Sequence, residues 1–258
     1  MYLTFFISVI LTLFLIFINI SADAAQNVVK KDIKIAAKDG FSIKAVLSTP
    51  KIKNWNDYKT VVLIHSLGYN SGWWGDLPDK LIQKGYAVLM VDLRGHGGSV
   101  YNKNLSKVSW KSMTKSAYAK CPDDVVDVIN SVTDESLKKH YFNEWAIVGS
   151  DFGASVGIIA ADKLPVKPKT IVMISPIVNA RGLYVPVSVA QLDNVDFLSI
   201  IGTDDAVSKS ASEYIKKFAQ AGYDEYISPS QTTGMIMLKN DPELTEIITG
   251  WIGNYFKD

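Results

Sequence analysis

The stretch Trp145–Ala154, WAIVGSDFGA, constrains this chain more than any other. An apolar run (Trp145, Ala146, Ile147, Val148) ends in Gly149-Ser150-Asp151-Phe152-Gly153, and an apolar, helix-compatible run from Ala154 to Ala161 follows at once. Strand, sharp glycine-flanked turn and helix, in that order, is the layout of a nucleophile elbow, whose middle residue is held in strained backbone geometry at the top of a sheet. Glycine is needed two positions before and two after the centre, because strand and helix pass too close there for side chains. That spacing centres the turn on Asp151. Centring it on Ser150 would place Val148 and Phe152 at the crowded positions, so that register is rejected. Such elbows usually carry Ser at the centre; this one carries a carboxylate.

The rest of the chain supplies the sheet that an elbow requires. Val28–Ala37 and Phe41–Ser48 alternate apolar and polar residues around Asp39-Gly40 and predict an antiparallel hairpin. Thr60–His65, Tyr86–Val91, Thr170–Ile174 and Asp196–Ile201 are continuous apolar runs, as expected of strands buried on both faces. Helical spacing covers Leu77–Lys84, Pro122–Val132, Ser208–Ala221 and Pro242–Phe256, while Tyr101 to Lys120 reads as irregular and Tyr226 to Leu238 as a short strand and a loop. Buried strands alternating with helices predict an α/β fold with a mostly parallel, doubly wound sheet. Only Ser175 to Asn194 separates two of the strands, which is too short for a folded lid domain, so any cleft is expected to be shallow and open. Residues 25–258 are expected to form one domain.

The N-terminus reads as an export signal. Tyr2 to Ile20 is almost wholly apolar, and Ala22-Asp23-Ala24 places small residues where a signal peptidase reads them, so cleavage after Ala24 is expected. No Lys or Arg precedes the apolar run, and its length approaches the ~20 residues that span a bilayer, so retention as a membrane anchor is the alternative. In both cases the body lies outside the cytoplasm, periplasmic or extracellular, and the segment offers a route to membrane association. The single cysteine, Cys121, excludes an intramolecular disulfide and a Cys-based metal site. With 27 basic and 26 acidic residues the chain shows no electrostatic footprint for nucleic acid. All the basic residues are Lys except Arg94 and Arg181, positions where the fork geometry of guanidinium is expected to matter.

Six motifs, in order, resemble the α/β-hydrolase superfamily, and in particular its small, lidless, dienelactone-hydrolase-like bacterial members. LIHSLGYNSGWW resembles the oxyanion loop, GYAVLMVDLRGHGGS the following strand and loop, and WAIVGSDFGAS the elbow. VMISPIVNARGL resembles the next strand, LSIIGTDDAVS the acid-bearing turn, and TTGMIMLKNDPELTEIITGWI the end of the domain. The resemblance implies a nucleophile, a His base and an acid that orients it, with backbone donors for the oxyanion. It assigns the acid to Asp205, with Asp204 second, and the oxyanion donors to the amides of Leu67 and Phe152. Ser66 often is Gly in relatives. The nucleophile position holds Asp151 and the His position holds Thr233. The chain's histidines, His65, His96 and His140, all precede the elbow.

Three functional readings follow. The leading one is an exported pseudoenzyme of esterase-like lineage, with impaired or absent hydrolysis and a retained cleft for a small-molecule ligand. There Asp151 is a carboxylate stabilised by helix capping and the helix dipole. The second is an active hydrolase using Asp151 or a non-standard base. Haloalkane dehalogenases and epoxide hydrolases use an Asp nucleophile, but with a His, a cap domain and commonly a Trp after the Asp, where this chain has Phe152. The third is a ligand- or cation-binding protein in which Asp151, Asp205 and Thr233 face one another, unless Lys239 neutralises the site. No resident cofactor or metal is expected. His96, in its glycine-rich loop, is the surrogate-base candidate, with a structural role as the competing reading. Arg94 is expected to bind a carboxylate or cap carbonyls within its own loop. His65 is expected to order the oxyanion loop, and His140 to lie at the surface. Trp73 and Trp74 line a cleft or pack.

Overall fold

A computed structural model describes residues 28–51, 57–132 and 140–256. The apolar Tyr2–Ile20 run and the cleavage motif lie outside the described residues, as does the side chain of His140. Strands β1 (Val28–Ala36) and β2 (Ser42–Pro50) form the expected antiparallel hairpin. β3 (Asp57–Ile64), β4 (Ala87–Asp92), β5 (His140–Ser150), β6 (Thr170–Ile174), β9 (Asp196–Gly202) and β10 (Tyr223–Ser228) are mutually parallel. Together they make one sheet in the order β1-β2-β4-β3-β5-β6-β9-β10, with β2 antiparallel to β4. A two-stranded hairpin, β7 (Asn179–Ala180) and β8 (Leu183–Tyr184), stands apart from it.

The helices cover both faces. α3 (Cys121–Val132) and α4 (Phe152–Lys163) pack on one face through Val125, Val128, Ile129, Val156 and Ile158. α1 (Leu77–Gln83) and α8 (Leu244–Tyr255) pack on the other through Leu77, Leu81, Ile248 and Ile252. Short helices α2 (Lys115–Tyr118), α5 (Pro186–Val189) and α7 (Ile236–Asn240) sit in the connections, and α6 (Ala206–Ile215) follows β9. The strands of the sheet centre are apolar on both faces because both faces are covered. No lid domain interrupts the described chain: between β6 and β9 there is only the β7–β8 hairpin and α5.

Three boundaries differ from expectation. α6 ends at Ile215 and passes through a 3-10 turn, Lys216–Phe218, instead of running to Ala221. β10 begins at Tyr223, earlier than the apolar pattern suggests, because it pairs with β9 as an edge strand whose outer side needs no apolar residues. The stretch Tyr101 to Lys120 contains α2, capped by the Thr114 hydroxyl accepting from the Ala117 amide at 3.3 Å.

Arg94 departs from the same-loop reading. It bonds Asp124 on α3 (2.8 and 2.7 Å) and Asp39 in the β1–β2 turn (2.7 and 3.2 Å), with its guanidinium 4.5 Å from the Phe41 ring centre. Two carboxylates on separate elements are thereby clamped by one planar fork, which an ammonium cannot reproduce. Asp39 is held well below the usual carboxylate range, chiefly by its Arg94 bond.

The elbow rests on close packing. A Cβ on Gly153 would lie 2.1 Å from the Ile64 carbonyl oxygen and 2.4 Å from that of His65; one on Gly149 would lie 2.5 Å from Ala154 Cα. These neighbours are backbone and cannot yield. Gly153→Ala should therefore cost roughly 3 kcal/mol or abolish folding. Gly250→Ala, on an exposed face of α8 with nothing within 4 Å of the new methyl, should gain about 0.5–1 kcal/mol. Urea unfolding of the two variants checks both signs.

Candidate functional site

Asp151 sits between β5 and α4 with φ 54° and ψ −119°, a backbone region that L residues seldom occupy. Its amide donates to the Ile174 carbonyl at 2.8 Å, which ties the turn to β6. The carboxyl is partly buried and does not cap α4, so the capping part of the sequence reading is corrected. Burial raises its pKa to about 6, against the opposing effect of the Phe152 and Leu67 amides. These are the two amides that the resemblance assigned to the oxyanion. In this structure they stabilise the charge on the protein's own carboxylate.

Asp205 initiates α6. Its Oδ1 accepts from the Ser208 amide at 2.9 Å, while Oδ2 is buried without a hydrogen-bond partner. Its charge raises the pKa of Asp151, so the two carboxyls do act on each other, and Arg181 acts on Asp151 in the opposite sense. The cation near the site is thus Arg181, and Lys239, exposed on α7, is not among the groups acting on Asp151. Asp204 is exposed beside Asp205.

Thr233 is exposed and bonded to neither Asp151 nor Asp205. Its neighbours fix the loop. Gly234 donates to Ser175 Oγ at 2.8 Å, and its Cα faces the buried Ser66 and Ser150 hydroxyls, which bond each other at 2.8 Å. Among the described residues no group of three or more His, Cys, Asp or Glu is arranged to hold a metal ion. Thr233, exposed and bonded to neither carboxyl, does not join Asp151 and Asp205 in a hydrogen-bonded set.

His65 and His96 are fully engaged. The Leu93 amide donates to His65 Nε2 at 3.0 Å, and the Gly68 amide donates to His96 Nε2 at 2.9 Å. An amide can donate only to an unprotonated nitrogen, so in both rings the proton lies on Nδ1. Nδ1 of His65 faces the Ser66 carbonyl (2.8 Å), and Nδ1 of His96 faces that of Arg94 (2.9 Å). Burial lowers the pKa of His65 to about 4 and also lowers that of His96. His96 stacks on Trp110, their ring centres 5.8 Å apart. His65 and His96 therefore stitch the loops after β3 and β4 together. Trp74 is buried packing, whereas Trp73 is exposed.

The sequence reading missed the β7–β8 hairpin and the position of Arg181 in its tip. Arg181 and Gly182 both have positive φ (55° and 94°), as a two-residue type I′ turn demands. The Arg181 guanidinium lies 5.5 Å from the Tyr118 ring centre, and Tyr118 packs edge-on against Phe152 at 5.5 Å. The available signal was the Arg-Gly dipeptide in a chain otherwise built with Lys.

A family model described as serine aminopeptidase, S33, matches residues 56–237. The chain belongs to that family. A comparison with curated proteins by sequence found no match. Solved structures share the family's fold at low identity. An acetyl xylan esterase from Paenibacillus sp. R4 is 14% identical with a TM-score of 0.72, over 90% of this chain and 85% of that one. A thermostable carboxyl esterase from Bacillus coagulans is 12% identical with a TM-score of 0.68, over 88% and 98%. A dienelactone hydrolase from Anabaena variabilis is 14% identical with a TM-score of 0.65, over 88% and 99%. These likenesses establish an α/β-hydrolase fold for this S33 member.

Because folding raises the Asp151 pKa, the unfolded chain ionises this group more readily. The native state gains from it at low pH and loses that gain as pH rises from about 4 to about 6. Asp151→Asn should thus be more stable than the parent by roughly 1–3 kcal/mol at pH 7.5, with the difference shrinking toward pH 4. Thermal melts of both proteins across this range check the sign.

Proposed function

We propose that this S33-family protein is an exported pseudoenzyme of esterase-like lineage: a hydrolase fold that has lost efficient ester hydrolysis and keeps a shallow cleft for a small-molecule ligand. The observation that carries the reading is the absence of a usable imidazole at Asp151. His65 and His96 have both ring nitrogens committed to backbone groups. His140 begins β5, a full strand length from the elbow. Thr233 stands at the position matching the family's base and has no side-chain basicity to offer.

A second argument is electrostatic. Hydrolysis of an ester places negative charge on the former carbonyl oxygen, and the enzyme lowers that barrier with preorganised amides. Here the Leu67 and Phe152 amides already act on the Asp151 carboxylate. A developing oxyanion would meet a like charge where it needs donors. An Asp nucleophile could still form an ester with a substrate carbon, but its hydrolysis would need a base to activate water. Export rests on Tyr2–Ile20 and Ala22-Asp23-Ala24, with membrane anchoring as the alternative outcome of the same segment.

The test is hydrolysis of a panel of short-chain 4-nitrophenyl esters by the protein, by Asp151→Ala, and by the double variant Asp151→Ser with Thr233→His. Parent and Asp151→Ala should be indistinguishable. The double variant, which regains a hydroxyl nucleophile and an imidazole beside Asp205, should exceed both by at least about tenfold, the low end of what a positioned base contributes. Parent activity that disappears in Asp151→Ala would overturn the pseudoenzyme reading.

A further inference from the structure

The outer strand β1 carries a surface that the cleft does not explain. Its exposed residues include Lys30, Lys31 and Lys34, and none of them is ion-paired among the described residues. Lys34 stands directly opposite Lys44 across the β1–β2 ladder. Like charges in that position repel, and the one acid on β1, Asp32, lies 3.9 Å from Lys44. The loop after β4 brings two more unpaired lysines alongside. The Ser42 amide donates to the Tyr101 carbonyl (2.8 Å), which docks this loop onto β2. Lys103 packs over Gly40, where an added Cβ would lie 2.7 Å from its own Cβ, and Lys107 bridges to Tyr101 across the loop.

The same loop thrusts apolar side chains into water. Leu105 is 81% exposed at its tip, with φ 59°, and Tyr101 is 42% exposed. The tip is pre-ordered: Asn102 Oδ1 accepts from the amides of Asn104 and Ser106, both at 3.0 Å, and the Leu105 amide donates to the Asn102 carbonyl at 2.9 Å. An open groove of ≈ 580 Å³ runs between loop and strand, lined by Lys34, Ser42, Tyr101, Asn102, Lys103 and Leu105 among others. The Ser42 hydroxyl on its wall is buried without a hydrogen-bond partner.

We propose that this groove and the β1 edge form a membrane-surface site that takes the phosphate headgroup of an anionic phospholipid, with Leu105 reaching the acyl boundary. The charge is complementary, since lysines near an anionic leaflet each strengthen binding. An exposed apolar side chain on a rigid tip inserts without an ordering cost. Chain length agrees: residues 21–27 separate the apolar run from β1, and seven residues span at most ~25 Å. In the form that retains Tyr2–Ile20 as an anchor, this tether joins β1 at Val28, the end opposite the groove, so Leu105 reaches the bilayer with β1 lying along its surface. The surface is separate from the Asp151 elbow, which follows β5, four strands away in the sheet order.

The experiment uses the full chain carrying Leu105→Cys, labelled with an environment-sensitive nitrobenzoxadiazole dye; the native Cys121 is buried and stays unlabelled. The protein is incorporated into phosphatidylcholine vesicles with and without phosphatidylglycerol. In the anionic vesicles the emission should shift to the blue and resist iodide quenching. Salt should reverse this, as should Lys34→Glu with Lys103→Glu, while a label at Val166→Cys, exposed at the end of α4, should not respond. Each single lysine neutralised should weaken the anionic-vesicle response roughly fivefold. Identical emission in the two vesicle types overturns the proposal. So does the same shift produced by inorganic phosphate without vesicles, which would make the groove a small-anion site.

Discussion

The site depends on one steric fact, the passage of α4 across the end of β3. Gly153 lies against the carbonyls of Ile64 and His65, closer than any side chain permits. Helix and strand can approach this far only if the intervening turn is tight, and a tight turn puts Asp151 at φ 54°. The strain is local, and the packing that sustains it is extensive. β5 has β3 and β6 as neighbours, with its residues from Trp145 to Ser150 buried. The elbow therefore persists whatever its central side chain does. The turn geometry is thus set by the packing of backbone on backbone and not by the chemistry of its central side chain.

The histidines show a related separation of form from chemistry. In a loop cluster rich in amides, a neutral imidazole is a bifunctional connector, accepting at one nitrogen and donating at the other. His65 and His96 each join two backbone segments in this way, and burial keeps them uncharged. Protonating either would replace an accepted amide bond with two opposed donors. A base must be able to take a proton, so the property that makes these rings good connectors disqualifies them as surrogates. The Gly234 amide, donating to Ser175 Oγ, similarly fixes the loop at the position that the resemblance gives to a base.

The fold was legible because its signals are steric and periodic. Apolar runs marked the strands buried on both faces, and the Gly149/Gly153 spacing placed the turn on Asp151 without reference to any relative. The elements that escaped were those whose formation is decided by partners far along the chain. β10 is an edge strand whose start depends on β9. Arg94 looked like a loop residue, but its carboxylates come from α3 and from the β1–β2 turn, 30 and 55 positions away. The candidate site was legible as a list of positions, since motif order located Leu67, Asp151, Phe152, Asp205 and Thr233. What the list could not contain was the direction of the amides, the solvent-facing position of Thr233, or the approach of Arg181 through a hairpin only two residues wide on each side.

The charges around Asp151 suggest why a carboxylate is tolerated there at all. A cation between two acids would relieve both; the cation acting on Asp151 is Arg181, while Asp205 acts on it in the opposite sense. Asp205 keeps one oxygen on the α6 amide of Ser208 and leaves the other buried and unbonded, a cost of about 1–3 kcal/mol for such a group. Asp151 is compensated from elsewhere, by the Phe152 and Leu67 amides and by Arg181, which stands off over Tyr118 without forming a close ion pair. These contributions oppose burial without overcoming it, so the carboxyl gains and loses its proton near pH 6. The elbow therefore carries a carboxyl whose charge varies with pH, raised in pKa by Asp205 and lowered by Arg181. A carboxylate held by the Phe152 and Leu67 amides opposes negative charge developing at those same donors.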